Sequence, residues 1–300
     1  MKKKTYLFAL MAMVLTLGSC SDNENGIGGE TSKYITVSTS IDNMTRVATD
    51  AKGGQTFEEG DEISVYAWTG APTVAPETSE RVVNNAINKL TNGTWVSTPQ
   101  MLWKNNREKH YFIGVYPTAA ISDLSAGEYT FDANKQTESD LLVAVNPDGL
   151  SYSADAQQTV PLTFTHVMAK LAVNLTYKNQ WGGIPTVEKV VVGNAAKEAT
   201  INYLTKVVTP SATAKEDFSL PEITENTKYV SVIIPQEEVT QLTIVIGGKN
   251  FVYDNGTPFK LESGKITTVN LEVGRDEIKL GDVKITNWED GSTFSGEALN

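Results

Sequence analysis

Short runs of alternating apolar residues fill most of the chain and restrict its fold more than any other feature. In the first run Ile35, Val37 and Ile41 alternate with threonine and serine, as in a strand with one buried face. Similar runs follow, among them HYFIGVYP, VPLTFTH, KLAVNLTY, YVSVIIP and KITTVNLEV. The one helix candidate, residues 78–90, has poor apolar spacing and ends in TNGT, which predicts a hairpin turn. The sequence therefore predicts an all-β fold of antiparallel sandwiches.

A change of parity in the middle of the chain indicates a boundary. Apolar residues occupy even positions in the run 160–164 and odd positions in the run 171–175. A shift of one residue turns every side chain to the opposite face, so the two runs cannot form one regular strand. The break must lie within residues 165–169, either as a bulge in one sheet or as a passage between two sandwiches. We favour the passage, which predicts an N-terminal domain at 34–166 and a C-terminal domain at 167–300.

The N-terminus predicts export with a lipid anchor. Lys2, Lys3 and Lys4 precede a short apolar run, and LTLGSC then leads to Cys20, the only cysteine. This pattern resembles a bacterial lipobox, in which residues 1–19 are a signal peptide and the cysteine is diacylated. Residues 20–33 are polar and acidic, which predicts a flexible tether and resembles the export signal of Bacteroidetes surface lipoproteins.

The charge of the mature chain excludes one class of partner. The whole chain has 25 Lys and Arg against 36 Asp and Glu. Residues 1–19 contain three of the lysines and no acidic residue, so removing them leaves 22 basic residues and a net charge of −14. Such a surface repels nucleic acid, so none is expected as a partner.

The residues that carry most enzyme chemistry are sparse. His110 and His166 are the only histidines, and neither has a partner at metal-ligand spacing. The run EEGDE at 58–62 could supply paired carboxylates or a calcium loop, but it is more typical of a solvated turn. His166 is predicted to be a hydrogen-bonded structural residue. We therefore expect no enzyme, no cofactor and no metal site.

Four stretches resemble the fimbrillin-like proteins of Bacteroidales, which are the type V pilins and their relatives. They are TFEEGDEISVYAW at 56–68, YFIGVYP at 111–117, LTFTHVMAKLAVNL at 162–175 and ITNWEDGS at 285–292. The resemblance implies two transthyretin-like sandwich domains, export as an outer-membrane lipoprotein at the cell surface, and assembly with other pilin subunits into fimbriae. Whether the chain would be a shaft, tip or anchor subunit stays open.

The resemblance also implies a processing site. An arginine after the first strand is cut in this family, and here Arg46, followed by Val47, lies in the turn-rich stretch IDNMTRVATD. The cut would release the lipid together with the strand that carries Ile35, Val37 and Ile41. A strand from a neighbouring subunit, supplied by the segment after Glu277, would then fill the open groove. The alternative is an ordinary exposed arginine in a loop.

Two other function classes compete with the fimbrial one. A monomeric surface lipoprotein could bind a glycan or another host ligand by stacking exposed tryptophans on sugar rings, although tryptophans at strand ends are more often partly buried. A secreted hydrolase would need two close carboxylates in a cleft. The tryptophans in question are Trp68, Trp95, Trp103, Trp181 and Trp288.

Overall fold

Strands form nearly all of the regular structure in the computed structural model. The only helical elements in the described part are two 3-10 turns, η1 (Thr78–Glu80) and η2 (Asn179–Trp181). No helix in this part is long and apolar enough to cross a membrane. The prediction of an all-β fold is confirmed. The structure describes residues 33–42, 57–136, 138–153, 158–239, 241–253, 258–276 and 278–287.

The described strands are numbered in chain order. They are β1 (Thr36–Ile41), β2 (Glu62–Thr69), β3 (Val83–Thr91), β4 (Thr94–Thr98), β5 (His110–Tyr116), β6 (Gly127–Thr130), β7 (Leu142–Leu150), β8 (Thr159–His166), β9 (Ala169–Tyr177), β10 (Val187–Ala196), β11 (Glu198–Asn202), β12 (Val207–Pro210), β13 (Lys215–Ser219), β14 (Glu222–Thr224), β15 (Lys228–Ile233), β16 (Gln236–Val239), β17 (Leu242–Ile246), β18 (Lys249–Tyr253), β19 (Phe259–Leu261), β20 (Lys265–Val273) and β21 (Ile278–Asn287).

A seven-stranded sheet takes all its strands from residues before 167, in the order β1-β8-β7-β5-β2-β3-β4. Its β3–β4 hairpin turns at Asn92 and Gly93, with φ of 51° and 72°. Two consecutive positive φ angles match the right-handed twist of the flanking strands, which explains the Asn-Gly pair. The hairpin predicted from TNGT is confirmed.

Residues after 168 form most of the other sheets. A five-stranded sheet has the order β14-β15-β9-β20-β21, and a four-stranded sheet has the order β13-β10-β17-β18. The strands β16 and β19 form a separate pair. Most described pairs are antiparallel, as expected, but β1 pairs parallel with β8, and β9 pairs parallel with β20. Side-chain alternation has the same period in both directions, so it could not reveal these two parallel pairs.

The predicted break lies at Val167 and Met168, between β8 and β9. The two strands belong to different sheets, which accounts for the change of parity. Here His166 Nδ1 lies 2.8 Å from Asp140 Oδ1, and both side chains are buried. The prediction of a hydrogen-bonded structural histidine is confirmed. Its partner is 26 residues away in the chain, so no local pattern indicated it.

Contacts between the two halves of the chain are extensive. Strand β6, which precedes the break, pairs antiparallel with β11, which follows it. One buried apolar cluster includes Tyr66 and Trp68 together with Leu171 and Val190. A second cluster lies within the first half alone. The chain passes from one sheet to another at the predicted boundary. That residues 34–166 and 167–300 fold as independent domains stays a prediction.

Gly114 of β5 allows close packing in the second cluster. A Cβ at this position would lie 2.7 Å from Phe164 Cζ and 3.1 Å from Leu162 Cδ1. Both neighbours are fully buried, so neither can move aside without disturbing the core.

We expect Gly114→Ala to lower the free energy of unfolding by about 1–3 kcal/mol, because it overpacks a filled site. Urea denaturation at equilibrium measures this loss. Gly193→Ala is the matched control in β10, since its Cβ meets the amide end of Gln241, which can rotate away. Equal losses in the two variants would contradict the packing argument.

Candidate functional site: the first strand and its groove

The first strand lies at the edge of the seven-stranded sheet. It pairs parallel with β8, from Thr36 opposite Thr159 to Ile41 opposite Phe164. The amide of Asp42 extends the pairing by donating to the Phe164 carbonyl at 2.8 Å. The whole length of β1 is therefore held by backbone bonds to a single neighbouring strand.

Alternate side chains of this strand enter the core. Ile35, which directly precedes β1, is 1% exposed and Val37 is 6% exposed, whereas Ser38 faces solvent. Ile41 is only half-buried, because it lies where the chain leaves the sheet. The two buried residues carry most of the apolar contact of β1, and whether the strand is removable stays a prediction.

On the other side, the segment just before β1 makes two backbone hydrogen bonds. The Ile35 amide donates to the Met101 carbonyl at 3.0 Å, and the Trp103 amide donates to the Lys33 carbonyl at 3.2 Å. Farther along, Trp95 Nε1 donates to Thr39 Oγ1 at 3.0 Å. The sheet thus curls until its two edge strands, β1 and β4, meet. Sequence reasoning missed these contacts, which join positions 56 to 70 residues apart.

Aromatic rings form the interior beside β1. Phe57 packs edge-on against Trp95 at 5.3 Å and against Phe164 at 5.1 Å between ring centroids. All three belong to the same buried cluster as Ile35 and Val37. We call the space that these two aliphatic side chains fill the first-strand groove. Without β1 it would expose a large apolar surface, which is energetically costly in water.

The predicted processing residues lie outside the described part of the chain. These are Cys20, Arg46 and Val47. The described residues stop at Asp42 and resume at Phe57. The lipidation and the cut therefore stay predictions.

The histidines and carboxylates do not form a metal site in the part that the structure describes. No group of three or more His, Cys, Asp or Glu residues is placed there to hold an ion. His110 Nε2 accepts the Lys104 amide at 3.0 Å, and its ring packs edge-on against Trp103. Burial lowers the pKa of His110, which favours the neutral form that can accept this bond.

The acidic run at 58–62 is a solvated turn, as predicted. The Glu59 carboxylate accepts the Asn92 amide at 2.6 Å and so braces the β3–β4 turn. Asp61 accepts the Glu58 amide at 2.7 Å, and Glu62 pairs with Lys89 at 2.9 Å. These carboxylates organise local turns around the start of β2.

The described tryptophans do not share an exposed face. Trp68, Trp95 and Trp103 are at most 9% exposed. Trp181 is half-buried, with the Arg275 guanidinium 5.7 Å from its ring centroid. Trp288 lies outside the described residues. A sugar-stacking platform of two exposed tryptophans is therefore not formed by the four that the structure describes.

The fold and this site define a multi-sheet β-protein whose first strand fills an edge groove. The profile of the fimbrillin-like family matches residues 45–288, and the chain belongs to that family. The predicted resemblance is thereby confirmed. No curated protein sequence matches the chain at a significant level.

Solved structures support the fold. The chain is similar to a protein from Bacteroides uniformis proposed to act in cell adhesion, at 16% identity and a TM-score of 0.63, over 86% of this chain and 100% of that one. A protein from Bacteroides ovatus with the same description has 17% identity and a TM-score of 0.63, over 85% and 98% of the two chains. A fimbrial protein from Bacteroides vulgatus has 12% identity and a TM-score of 0.50, over 84% and 99%. At these identities the likeness establishes a shared fold.

We expect Ile35→Ala to lower the free energy of unfolding by about 2–5 kcal/mol, because it leaves a cavity in the first-strand groove. Ser38→Ala, on the exposed face of the same strand, should change it by no more than about 0.5 kcal/mol. Equilibrium unfolding in urea compares the two. Similar small effects would show that β1 adds little to the core.

Proposed function

We propose that the protein is a structural or adhesive subunit of a cell-surface fimbria of the type V pilus class. The observation that carries this proposal is the first strand itself. It is an edge strand that, with the residue directly before it, buries two side chains, and its groove lies in a chain of the fimbrillin-like family. An extended segment of another subunit could replace such a strand by forming the same backbone bonds and filling the same pockets.

Export would begin with lipidation. In this scheme residues 1–19 are removed and Cys20 receives the acyl chains that anchor the precursor in the outer membrane. The tether 20–33 would then hold the folded part at the cell surface. The support is the lipobox pattern and the polar composition of the tether.

Assembly would follow a cut between Arg46 and Val47. The cut would free residues 20–46, including the lipid and β1. Ile35 and Val37 each contribute roughly 1.5–3 kcal/mol of burial, so the emptied groove would favour a replacement strand. The donor would come from the segment after Glu277. Within it β21 is an edge strand with mostly exposed side chains, which is compatible with that role.

The partners that fit this scheme are other pilin subunits, in a homopolymer or a heteropolymer. Cleavage fits a shaft or tip subunit, whereas an uncut chain that keeps its lipid fits an anchor. The proposal includes no catalysis, no cofactor and no nucleic-acid partner. The glycan-binding alternative is not favoured, since three of the four described tryptophans are buried.

We expect mass spectrometry of surface-extracted protein to find a mature chain that begins at Val47. Arg46→Ala should keep the lipidated N-terminus and stop assembly into fimbriae. Arg107→Ala is the matched control, because Arg107 is an exposed arginine outside the strands. A mature chain that begins at Cys20, with assembly unaffected by Arg46→Ala, would rule the mechanism out.

We expect cells fed a radiolabelled fatty acid to label the wild-type chain and not Cys20→Ser. Each buried CH₂ contributes about 0.8 kcal/mol to membrane binding, so several acyl chains anchor the precursor firmly. Ser21→Ala, one residue away, should keep the label. Equal label in wild type and Cys20→Ser would contradict lipidation at this residue.

A further inference from the structure

A second groove lies beside the break between β8 and β9. It has a volume of about 430 Å³ and is lined by residues 206–208 and 210, 235–237 and 260–263. We call it the junction groove. Five of its eleven lining residues are apolar, among them Val207 and Pro210, and the charged ones are Lys206, Lys260, Glu237 and Glu262. The first-strand groove contains none of these residues.

The junction groove runs beside an open strand edge. In the described part of the chain β12 is the outer strand of the sheet β12-β11-β6 and pairs only with β11. Val207 of β12 is 55% exposed, and Thr209 is also exposed. An open edge next to aliphatic side chains is suited to an added extended segment, which can bond to the strand and bury its own apolar residues.

The chain leaves its last described strand at this groove. Asn287, at the end of β21, lies opposite Lys265 at the start of β20. Lys265 Nζ is 2.5 Å from Glu262, which lines the groove. Because β21 runs antiparallel to β20, β21 ends beside the β19–β20 turn. The 13 residues 288–300 can span roughly 40 Å when extended, so the groove is within their reach.

Charge in the groove suits an acidic segment. Lys260 is paired with Glu237 at 2.5 Å, and Glu262 is paired with Lys265, so both acidic side chains are already neutralised. Lys206 Nζ donates to the Thr165 hydroxyl at 3.0 Å. Burial lowers the pKa of Lys206, and the nearby Asp42 carboxylate offsets only part of that effect. A carboxylate from outside would stabilise the charged form of Lys206. Residues 288–300 contain Glu289, Asp290 and Glu297, no lysine or arginine, and the apolar residues Trp288, Phe294 and Leu299.

We propose that residues 288–300 bind in the junction groove of their own chain, along the open edge of β12. The same chain is the favoured source because tethering at Asn287 gives the segment a high effective concentration at the groove. Docking would cover the exposed edge before the subunit meets a partner. If subunits exchange strands as proposed above, docking would also keep part of the donor segment on its own subunit. Only this consequence rests on the strand-exchange proposal.

Disulfide trapping tests the proposal on the full chain in a Cys20→Ser background. Val207→Cys is combined with Phe294→Cys, and the control pairs Phe294→Cys with Ile223→Cys. Ile223 is 60% exposed and lies on another edge strand, β14. We expect a disulfide within the monomer for the Val207 pair and none for the Ile223 pair. A disulfide that forms only between two chains, equal trapping at both sites, or no trapping overturns the proposal.

A charge variant tests the role of Lys206 in the same trapping assay. Lys206→Met keeps the aliphatic stem and removes the charge, so we expect slower trapping of the Val207 pair. Lys189→Met, an exposed lysine on β10, should leave the trapping rate unchanged. Equal rates in the two variants overturn the electrostatic part of the proposal.

Amide hydrogen exchange supplies a measurement that needs no cysteine. Deleting residues 288–300 from the full chain should speed exchange in β12 by about tenfold or more, which corresponds to about 1.4 kcal/mol. Exchange in β14 should not change. Unchanged exchange in β12 overturns docking. Neither hydrogen exchange nor disulfide trapping requires cleavage or polymerisation. If the fimbrial proposal failed, the results expected from these two experiments would therefore be the same.

Discussion

Closure of the seven-stranded sheet by β1 is the constraint on which the first half of the chain depends. The strand joins β8 on one side and, at its start, the segment after β4 on the other. Ile35 and Val37 then seal a core of packed aromatic rings. Removing the strand would leave both unpaired backbone groups and exposed rings. Such a site is stable when filled and strongly favours refilling when emptied.

Contacts near the break between β8 and β9 join the second half of the chain to the first. The chain changes sheets at Val167 and Met168, and the buried Asp140–His166 contact lies beside that change. Pairing of β6 with β11 continues the backbone bonding across the break. Asp42 bonds to Phe164, one residue before the Thr165 that accepts Lys206. The end of the first strand and the junction groove therefore border the same region of the molecule.

Open edges are a hazard that soluble β-proteins usually cover, shorten or charge. Here β12 is only four residues long and ends in Pro210, and β21 carries lysines on its exposed face. These features limit uncontrolled pairing. The net negative charge of the chain also helps to keep nonspecific contacts weak.

The sequence alone determined the strand-rich class, the β3–β4 turn at Asn92 and Gly93, and the break near Val167, because these depend on local alternation and turn chemistry. It also predicted that Ile35 and Val37 share one face. Only the tertiary structure decided that β1 pairs parallel with β8, that Trp95 meets Thr39, and that Asp140 meets His166. These contacts join residues far apart in the chain, and side-chain periodicity specifies which face is buried without specifying the neighbouring strand or its direction.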